Sequence, residues 1–275
     1  MKIQRLNMDN SWHINFAGKS FLIDPWLKGV EIDFFSWFNT QWHRTPPIAI
    51  ADIPDYDVVI ITQKYPDHYH PETLIELQPQ KLIVPSSIEK KVKKLLPDAK
   101  VWTLEGISSD AIGNQVKLHY LPSQRKIDPI YDAIVLENRS ESILLATHGY
   151  SEPEAWSKYL KNIPPIKLAF TPFNHYKLPF FLGGTVSPGL SAVKNLIHTL
   201  QPKHIIATHD EDKHAKGLIS KLARIKFSPS RQELIKEDLF KNRLLSIDNY
   251  QSITCLLYTS PSPRDATLSR MPSSA

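Results

Sequence analysis

The side chains best suited to chemistry form a group just after a short apolar run. The run from Val58 to Ile61 is β-branched and uninterrupted, which predicts a strand that is covered on both faces. Asp67 and His68 follow it in a turn, and Pro71 then begins a predicted helix. Because open α/β sheets bind ligands beyond the carboxyl ends of their strands, this loop is a candidate site.

Two more histidines, His148 and His209, also come directly after predicted apolar strands. Imidazole and carboxylate side chains suit zinc, iron or manganese. We expect Asp67, His68, His148 and His209 to converge on one divalent ion, with zinc preferred. Bonds of about 2.0 to 2.2 Å to zinc would place the ligating atoms of a preformed site roughly 3 to 4 Å apart.

Each of these assignments has a structural alternative. A single histidine at a strand end is more often a hydrogen-bonded loop residue than a ligand, and Asp67 can be a turn residue with His68 as a neighbouring partner. Four protein ligands without an open position would make a structural zinc site. A catalytic ion instead keeps a position for water, which it acidifies for attack on a carbonyl or phosphoryl centre. We assign catalysis to Asp67 and His68.

The segment from Thr62 to His68 resembles the Thr-His-x-His-x-Asp-His signature of the metallo-β-lactamase superfamily. Asp67 and His68 match the second-metal ligands of that signature. Gln63 and Tyr65 stand where the family has two ligands of its first metal. The resemblance therefore implies a divergent member with at most one metal ion, in which Gln63 and Tyr65 contact substrate or fill the space of a lost ion.

Two further segments are similar to parts of the same superfamily. Phe21 to Leu27 resembles the strand and Asp-Pro turn of its lactonase-like and phospholipase-like branches, and Ala207 to His209 resembles a late strand that ends in a metal-binding histidine. His148 stands roughly where the family has a bridging aspartate, which argues against a two-metal centre. The implied fold is α/β (α+β), a four-layer αββα sandwich over residues 1–255.

The order of the predicted elements agrees with two sheets that have helices outside them. Short runs before residue 24 predict a β-meander, and the runs between residues 99 and 147 predict a second, mostly antiparallel sheet. Ser86 and Glu89 have the spacing of a capping box. Helices are predicted around residues 71–77, 86–96, 152–160, 187–200 and 210–223.

Composition limits the class of protein. The chain of 275 residues has 33 basic and 28 acidic side chains, and its charge of +5 is spread along the sequence, which argues against nucleic-acid binding. The single cysteine, Cys255, excludes an internal disulfide, and the first ten residues lack the apolar core of a signal peptide, so we expect a cytoplasmic location. Leu256 to Ala275 is rich in Ser and Pro, looks non-native, and is excluded from the fold.

Two aromatic segments lie outside the regular pattern. Phe34 to Phe38 lies in a long stretch of little periodicity, and Phe180 with Phe181 follows His175. We expect both segments to line an apolar pocket beside the histidines; a flap over the core, and for the first segment contact with a lipid surface, are open alternatives. The predicted substrate-binding residues are Gln63, Tyr65, His175, Phe34, Trp37 and Phe181.

These features predict metal-assisted hydrolysis of a small-molecule ester, lactone or phosphodiester in a partly apolar pocket. The sequence has no phosphate-binding glycine pattern, so no nucleotide cofactor is expected. One alternative is a metal-free pseudoenzyme that binds a hydrophobic ligand or partner. Another is redox chemistry at a histidine-rich iron site.

Overall fold

The protein is described from a computed structural model over residues 1–107, 109–123, 130–150, 153–210, 213–247 and 249–254. The tail from Leu256 to Ala275 lies outside these residues. The strands are β1 (Lys2–Arg5), β2 (Trp12–Phe16), β3 (Lys19–Ile23), β4 (Glu31–Asp33), β5 (Asn39–Trp42), β6 (Val58–Ile60), β7 (Lys81–Val84), β8 (Lys100–Thr103), β9 (Lys117–Leu121), β10 (Ala133–Glu137), β11 (Ser142–Leu145), β12 (Ile166–Pro172), β13 (His175–Lys177), β14 (Thr185–Pro188), β15 (His204–Thr208), β16 (His214–Lys216), β17 (Arg224–Lys226), β18 (Leu244–Leu245) and β19 (Ser252–Thr254). The helices are α1 (Pro71–Leu77), α2 (Glu89–Leu95), α3 (Ser109–Ile112), α4 (Pro153–Leu160), α5 (Leu190–Leu200), α6 (Leu218–Leu222), α7 (Arg231–Leu234) and α8 (Asp238–Lys241).

The first large sheet has the strand order β19-β1-β2-β3-β6-β7-β8. Strands β1 to β3 form the predicted meander, and β3, β6, β7 and β8 are parallel. The sequence analysis placed β8 in the second sheet, which is wrong. Helix α2 returns the chain beside β7, so Val101 pairs with Leu82 in the first sheet.

The second large sheet has the order β18-β15-β12-β11-β10-β9. Strands β9, β10 and β11 are antiparallel, as predicted for this region. The other half is parallel, with β11, β12, β15 and β18 running in one direction. Each large sheet is therefore half antiparallel and half parallel, and the parallel halves carry the loops that build the candidate site.

Three buried clusters show how the layers pack. Side chains of both large sheets fill the space between them, with the rings of Trp12 and Phe170 4.9 Å apart in an edge contact. Leu74 of α1 and Val92 of α2 pack on the outside of the first sheet, whereas Val193 of α5 packs on the outside of the second. The predicted αββα fold is confirmed. None of the helices in the described ranges is long and apolar enough to cross a lipid bilayer.

The helix predicted from Asp210 to Ala223 is wrong over His214–Lys216. His214 to Lys216 forms strand β16, which pairs with β5, so His214 lies on a strand. Gly217 follows with φ of +112°, and a Cβ there would lie 2.6 Å from the Phe38 carbonyl oxygen. The close approach of the hairpin therefore requires glycine, and only the short helix α6 follows.

Two other local predictions need correction. The stretch after Lys28 was predicted to lack regular structure, but β4 and β5 form a hairpin there that β16 extends to a small three-stranded sheet. The capping box at Ser86 is absent. The Ser86 hydroxyl donates instead to Glu105 Oε1 at 2.8 Å, and the segment begins as a short 3-10 turn before α2.

Candidate metal centre

The candidate site lies where the parallel halves of the two large sheets end. Asp24 and Thr62 follow the neighbouring strands β3 and β6 of the first sheet, and His209 follows β15 of the second. The Thr208 hydroxyl donates to Asn10 Oδ1 at 2.5 Å, and the His209 backbone N–H donates to the Asp9 carbonyl at 3.2 Å. These bonds join the edges of the two sheets and fix the position of the site.

Asp67, His68, His148 and His209 form one compact cluster. One ligating atom from each lies within 4.8 Å of those of the others. His68 Nε2 is 2.9 Å from His148 Nε2 and 3.7 Å from Asp67 Oδ2, which is also 3.7 Å from His209 Nδ1. The structure thus brings together the four side chains that the sequence analysis grouped, and their role as metal ligands stays a prediction.

Asp24 orients His68. Its carboxylate is fully buried and accepts hydrogen bonds from the Thr62 backbone N–H at 2.6 Å, the Thr62 hydroxyl at 2.5 Å and Asn10 Nδ2 at 2.8 Å. His68 Nδ1 lies 2.7 Å from Asp24 Oδ2. This contact assigns the proton of neutral His68 to Nδ1, which donates to Asp24. The lone pair is then on Nε2, which faces the cluster.

Asp9 orients His209 in the same way. His209 Nδ1 lies 3.1 Å from Asp9 Oδ1, while Nε2 is buried and has no hydrogen-bond partner among the residues described. A buried ring nitrogen without a partner is costly unless a ligand completes it. Asp24 and His209 also have positive φ values, +44° and +51°, a conformation that costs a non-glycine residue about 1 kcal/mol or more. The surrounding contacts hold both residues in this strained conformation.

Burial and neighbouring charges separate the two histidines at the centre. Burial opposes protonation of His68, but the carboxylates of Asp67 and Asp24 outweigh it and raise its pKa to about 9. Burial, together with neighbouring positive charge that includes protonated His68, holds the pKa of His148 well below its ordinary value. One proton on His68 therefore bridges to the neutral His148 ring across their 2.9 Å contact. A metal ion would replace that proton.

The donor set fits a divalent ion. Three imidazoles and a carboxylate are a tetrahedral set for zinc, and iron or manganese accept the same donors. A tetrahedron with bonds of about 2.0 to 2.1 Å has edges of roughly 3.4 Å, inside the observed range of 2.9 to 4.8 Å. The unpartnered His209 nitrogen and the two carboxylate–histidine contacts are the arrangement that metal-binding histidines require.

Gln63 and Tyr65 occupy the positions of the two missing signature histidines. Gln63 Nε2 donates to the Ile130 carbonyl at 2.6 Å, and its buried Oε1 has no partner in the part of the chain that is described. The Tyr65 ring packs against the core outside the second sheet, and its centroid lies 6.4 Å from that of His148, with the two rings nearly perpendicular. Tyr65 therefore lies near His148, and whether Gln63 and Tyr65 contact substrate or fill the space of a lost ion stays a prediction.

The aromatic segments are exposed. Phe34, Trp37 and Phe181 have 84%, 65% and 68% of their surface accessible, and His175 is half-buried with Nδ1 3.2 Å from the Pro188 carbonyl. A cavity of about 650 Å³ lies along the β4–β5 hairpin, and its lining contains Trp42 and Pro46 but no member of the histidine cluster. The substrate roles of Phe34, Trp37, Phe181 and His175 stay predictions.

Sequence reasoning missed the charged residues that surround the cluster. Asp9 and Glu31 were not selected as candidate residues, and Lys213 was placed in the helix predicted over residues 210–223. In the structure Lys213 Nζ lies 3.0 Å from Asp9 Oδ2 and 3.9 Å from Glu31 Oε1. Asp24 could have been found from the sequence, because its Asp-Pro turn directly follows a predicted strand.

Solved structures with this fold include several hydrolases. An isothiocyanate hydrolase from Delia radicum gut bacteria has a TM-score of 0.64 at 17% identity, covering 92% of this chain and 98% of its own. A possible metal-dependent hydrolase from Veillonella parvula DSM 2008 has a TM-score of 0.66 at 15% identity, with the same two coverages, 92% and 98%. CmlA, a diiron β-hydroxylase from Streptomyces venezuelae, has a TM-score of 0.57 at 16% identity and covers 76% of this chain and 44% of its own.

Comparison with curated protein sequences gives no significant match. The family model of the beta-lactamase superfamily domain matches residues 6–209, a span that contains the whole histidine cluster. The chain therefore belongs to the metallo-β-lactamase superfamily.

Proposed function

We propose that this protein is a metal-dependent hydrolase that holds one divalent ion, zinc by preference, and cleaves an ester, lactone or phosphodiester. The observation that carries the proposal is the convergence of Asp67, His68, His148 and His209, with the unpartnered His209 nitrogen among them. A bound ion would polarise the scissile carbonyl or phosphoryl oxygen and acidify a water molecule.

His68 and Asp67 would have different roles in the reaction. His68 is fully buried and held by Asp24, so it positions the site. The side chain of Asp67 is 15% exposed, whereas that of His68 is fully buried. Because four protein ligands would leave zinc no open position, Asp67 is the ligand that would give way to an attacking water molecule, and once displaced its carboxylate could accept the proton of that water.

Removing the metal is expected to lower the melting temperature. An ion that binds only the folded state stabilises it by RT ln(1 + [L]/Kd), about 2.7 kcal/mol at a hundredfold excess over Kd. Zinc or manganese should raise the melting temperature of the metal-free parent chain but not that of His209→Ala or Asp67→Ala. Calorimetry and metal analysis of protein purified without added ions measure both effects.

His119→Ala is the matched control for these variants. His119 lies on β9, with Nε2 3.2 Å from Glu137, and the proposal gives it no contact with the ion. Its melting temperature should respond to metal as the parent does. Equal melting temperatures with and without each metal, together with metal-free purified protein, would leave the pseudoenzyme as the working hypothesis. Bound iron without activity on aryl esters, lactones or bis-aryl phosphodiesters would favour redox chemistry.

Phe34→Ser and Trp37→Ser are expected to change catalysis without changing stability. Both side chains are mostly exposed, so the free energy of unfolding should move by no more than about 0.5 kcal/mol. If they contact an apolar substrate, KM should rise several-fold while kcat changes little. Ile75→Ser, at an exposed apolar position on α1, is the control. An unchanged KM would remove the Phe34 segment from the substrate pocket.

A further inference from the structure

Lys213 places a positive charge between two carboxyl groups, one of which, Asp9, also contacts His209 of the cluster. Its side chain is only 15% exposed, and Nζ lies 3.0 Å from Asp9 Oδ2 and 3.9 Å from Glu31 Oε1. The ammonium group also lies 5.2 Å from the ring centroid of Trp26, which covers it on another side. The group is thus enclosed by two acids and an aromatic ring.

The two acids beside Lys213 are buried. Asp9 is 1% and Glu31 is 3% exposed. Asp9 is shared, because its Oδ1 contacts His209 Nδ1 while its Oδ2 contacts Lys213. Asp67 also acts on Lys213 through its charge. The carboxyl groups of Asp9 and Glu31 therefore flank one position that favours a cation, because buried carboxylates are not stable together without positive charge.

We propose that the Lys213 ammonium group occupies a second cation position of this site, where it takes the place of a second metal ion. Lysine suits the position because its charge is compact and it carries three donors. The inference rests on the proposed function, since it explains why one ion suffices beside Asp9 and Glu31. It also gives Lys213 a positioning role, because the charge of Lys213 keeps Asp9 available to His209.

When Lys213 is replaced by a neutral residue, the position that its ammonium group occupied should have a defined metal preference. Its acceptors are carboxylate oxygens rather than imidazoles, a set preferred by manganese or magnesium over zinc. Removing the ammonium charge should therefore create a second site that differs in metal preference from the histidine cluster. A purely structural ion pair would lose stability on the same substitution without gaining an ion.

The experiment compares the parent chain with Lys213→Gln, Lys213→Met and Lys213→Arg. Each protein is loaded with one equivalent of zinc and then titrated with manganese, which is counted by paramagnetic resonance and elemental analysis. The parent and Lys213→Arg should hold one zinc ion and no manganese. Both neutral variants should hold one zinc and one manganese ion per chain, and the double variant Lys213→Gln/Glu31→Gln should lose the manganese.

Lys194→Gln controls for the loss of a lysine ion pair elsewhere, because Lys194 pairs with Glu237 at 2.7 Å on the surface. Neutral Lys213 variants that hold zinc but no manganese would overturn the inference and leave the proposed function intact. A parent chain that holds no zinc would instead overturn the proposed function. Neutral variants that remain unfolded even with both ions present would also refute the inference, because manganese should replace the lost charge and restore folding.

Discussion

Asp24→Asn is expected to lower the free energy of unfolding by about 3 to 5 kcal/mol and to weaken zinc binding by roughly 10- to 100-fold. The Asp24 side chain is fully buried and accepts bonds from Thr62, Asn10 and His68. Asparagine has the same shape but no charge, and its amide would oppose at least one of these donors. His68 would then lose the partner that directs its Nε2 toward the cluster. Urea unfolding and zinc competition with a chelator measure the two effects.

Asp57→Asn is the control that distinguishes an effect on the site from the effect of losing any carboxylate. Asp57 accepts from the Ser20 backbone N–H at 2.9 Å and from Lys19 Nζ at 3.2 Å, but it is partly exposed and lies at the start of β6. Its substitution should change stability by less than about 1 kcal/mol and leave zinc affinity unchanged. Parent-like zinc affinity in Asp24→Asn would show that the Asp24 contact does not set the ligand geometry of His68.

The candidate site was predictable where local pattern and strand direction were sufficient. An apolar run followed by polar residues marks the end of a buried strand, and parallel neighbours end at the same edge of a sheet. Residues of this kind include His68 after β6 and His209 after β15. This rule places each residue at the edge of its own sheet, but β6 and β15 belong to different sheets, so their convergence also depends on how the two sheets face each other.

The charged residues around the cluster were not predictable, because their contacts join distant parts of the chain. Lys213 and Asp9 are 204 positions apart, and His209 and Asp9 are 200 positions apart. No local periodicity reports such pairs. The region after Asp210 has a helical pattern, but pairing of β16 with β5 outweighs that weak preference and directs Lys213 toward the site.

The hairpin of β4 and β5 could not be predicted from local sequence pattern either. Its strands have three and four residues, too few for a clear alternation of apolar and polar side chains. Antiparallel pairing with β16 stabilises them from outside their own segment. The buried Glu31 at the start of β4 therefore became visible as part of the site only in three dimensions.

Raising the pH from 6.5 to 9 is expected to destabilise the metal-free protein by about 3 kcal/mol. Despite burial, Asp67 and Asp24 raise the pKa of His68 to about 9, above its ordinary value of 6.5. The folded state therefore binds this proton more tightly than the unfolded state. The stabilisation is complete below pH 6.5 and is lost as the pH rises through 9. Burial and nearby positive charge lower the pKa of His148, so His148 acts in the opposite direction and only below pH 6.5.

Zinc should remove most of this dependence, because the zinc-loaded folded protein carries no proton on His68 Nε2 and the unfolded chain carries none there above pH 6.5. Because the ion needs the Nε2 lone pair of His68, it competes with the proton, and zinc affinity should rise with pH up to about 9. Urea unfolding of metal-free and zinc-loaded protein at several pH values between 6.5 and 9 measures both trends. His68→Gln should abolish the decline of the metal-free protein, whereas His119→Ala should retain it. Parallel pH profiles with and without zinc would show that the ion does not bind His68, and the metal centre would then have to exclude that residue.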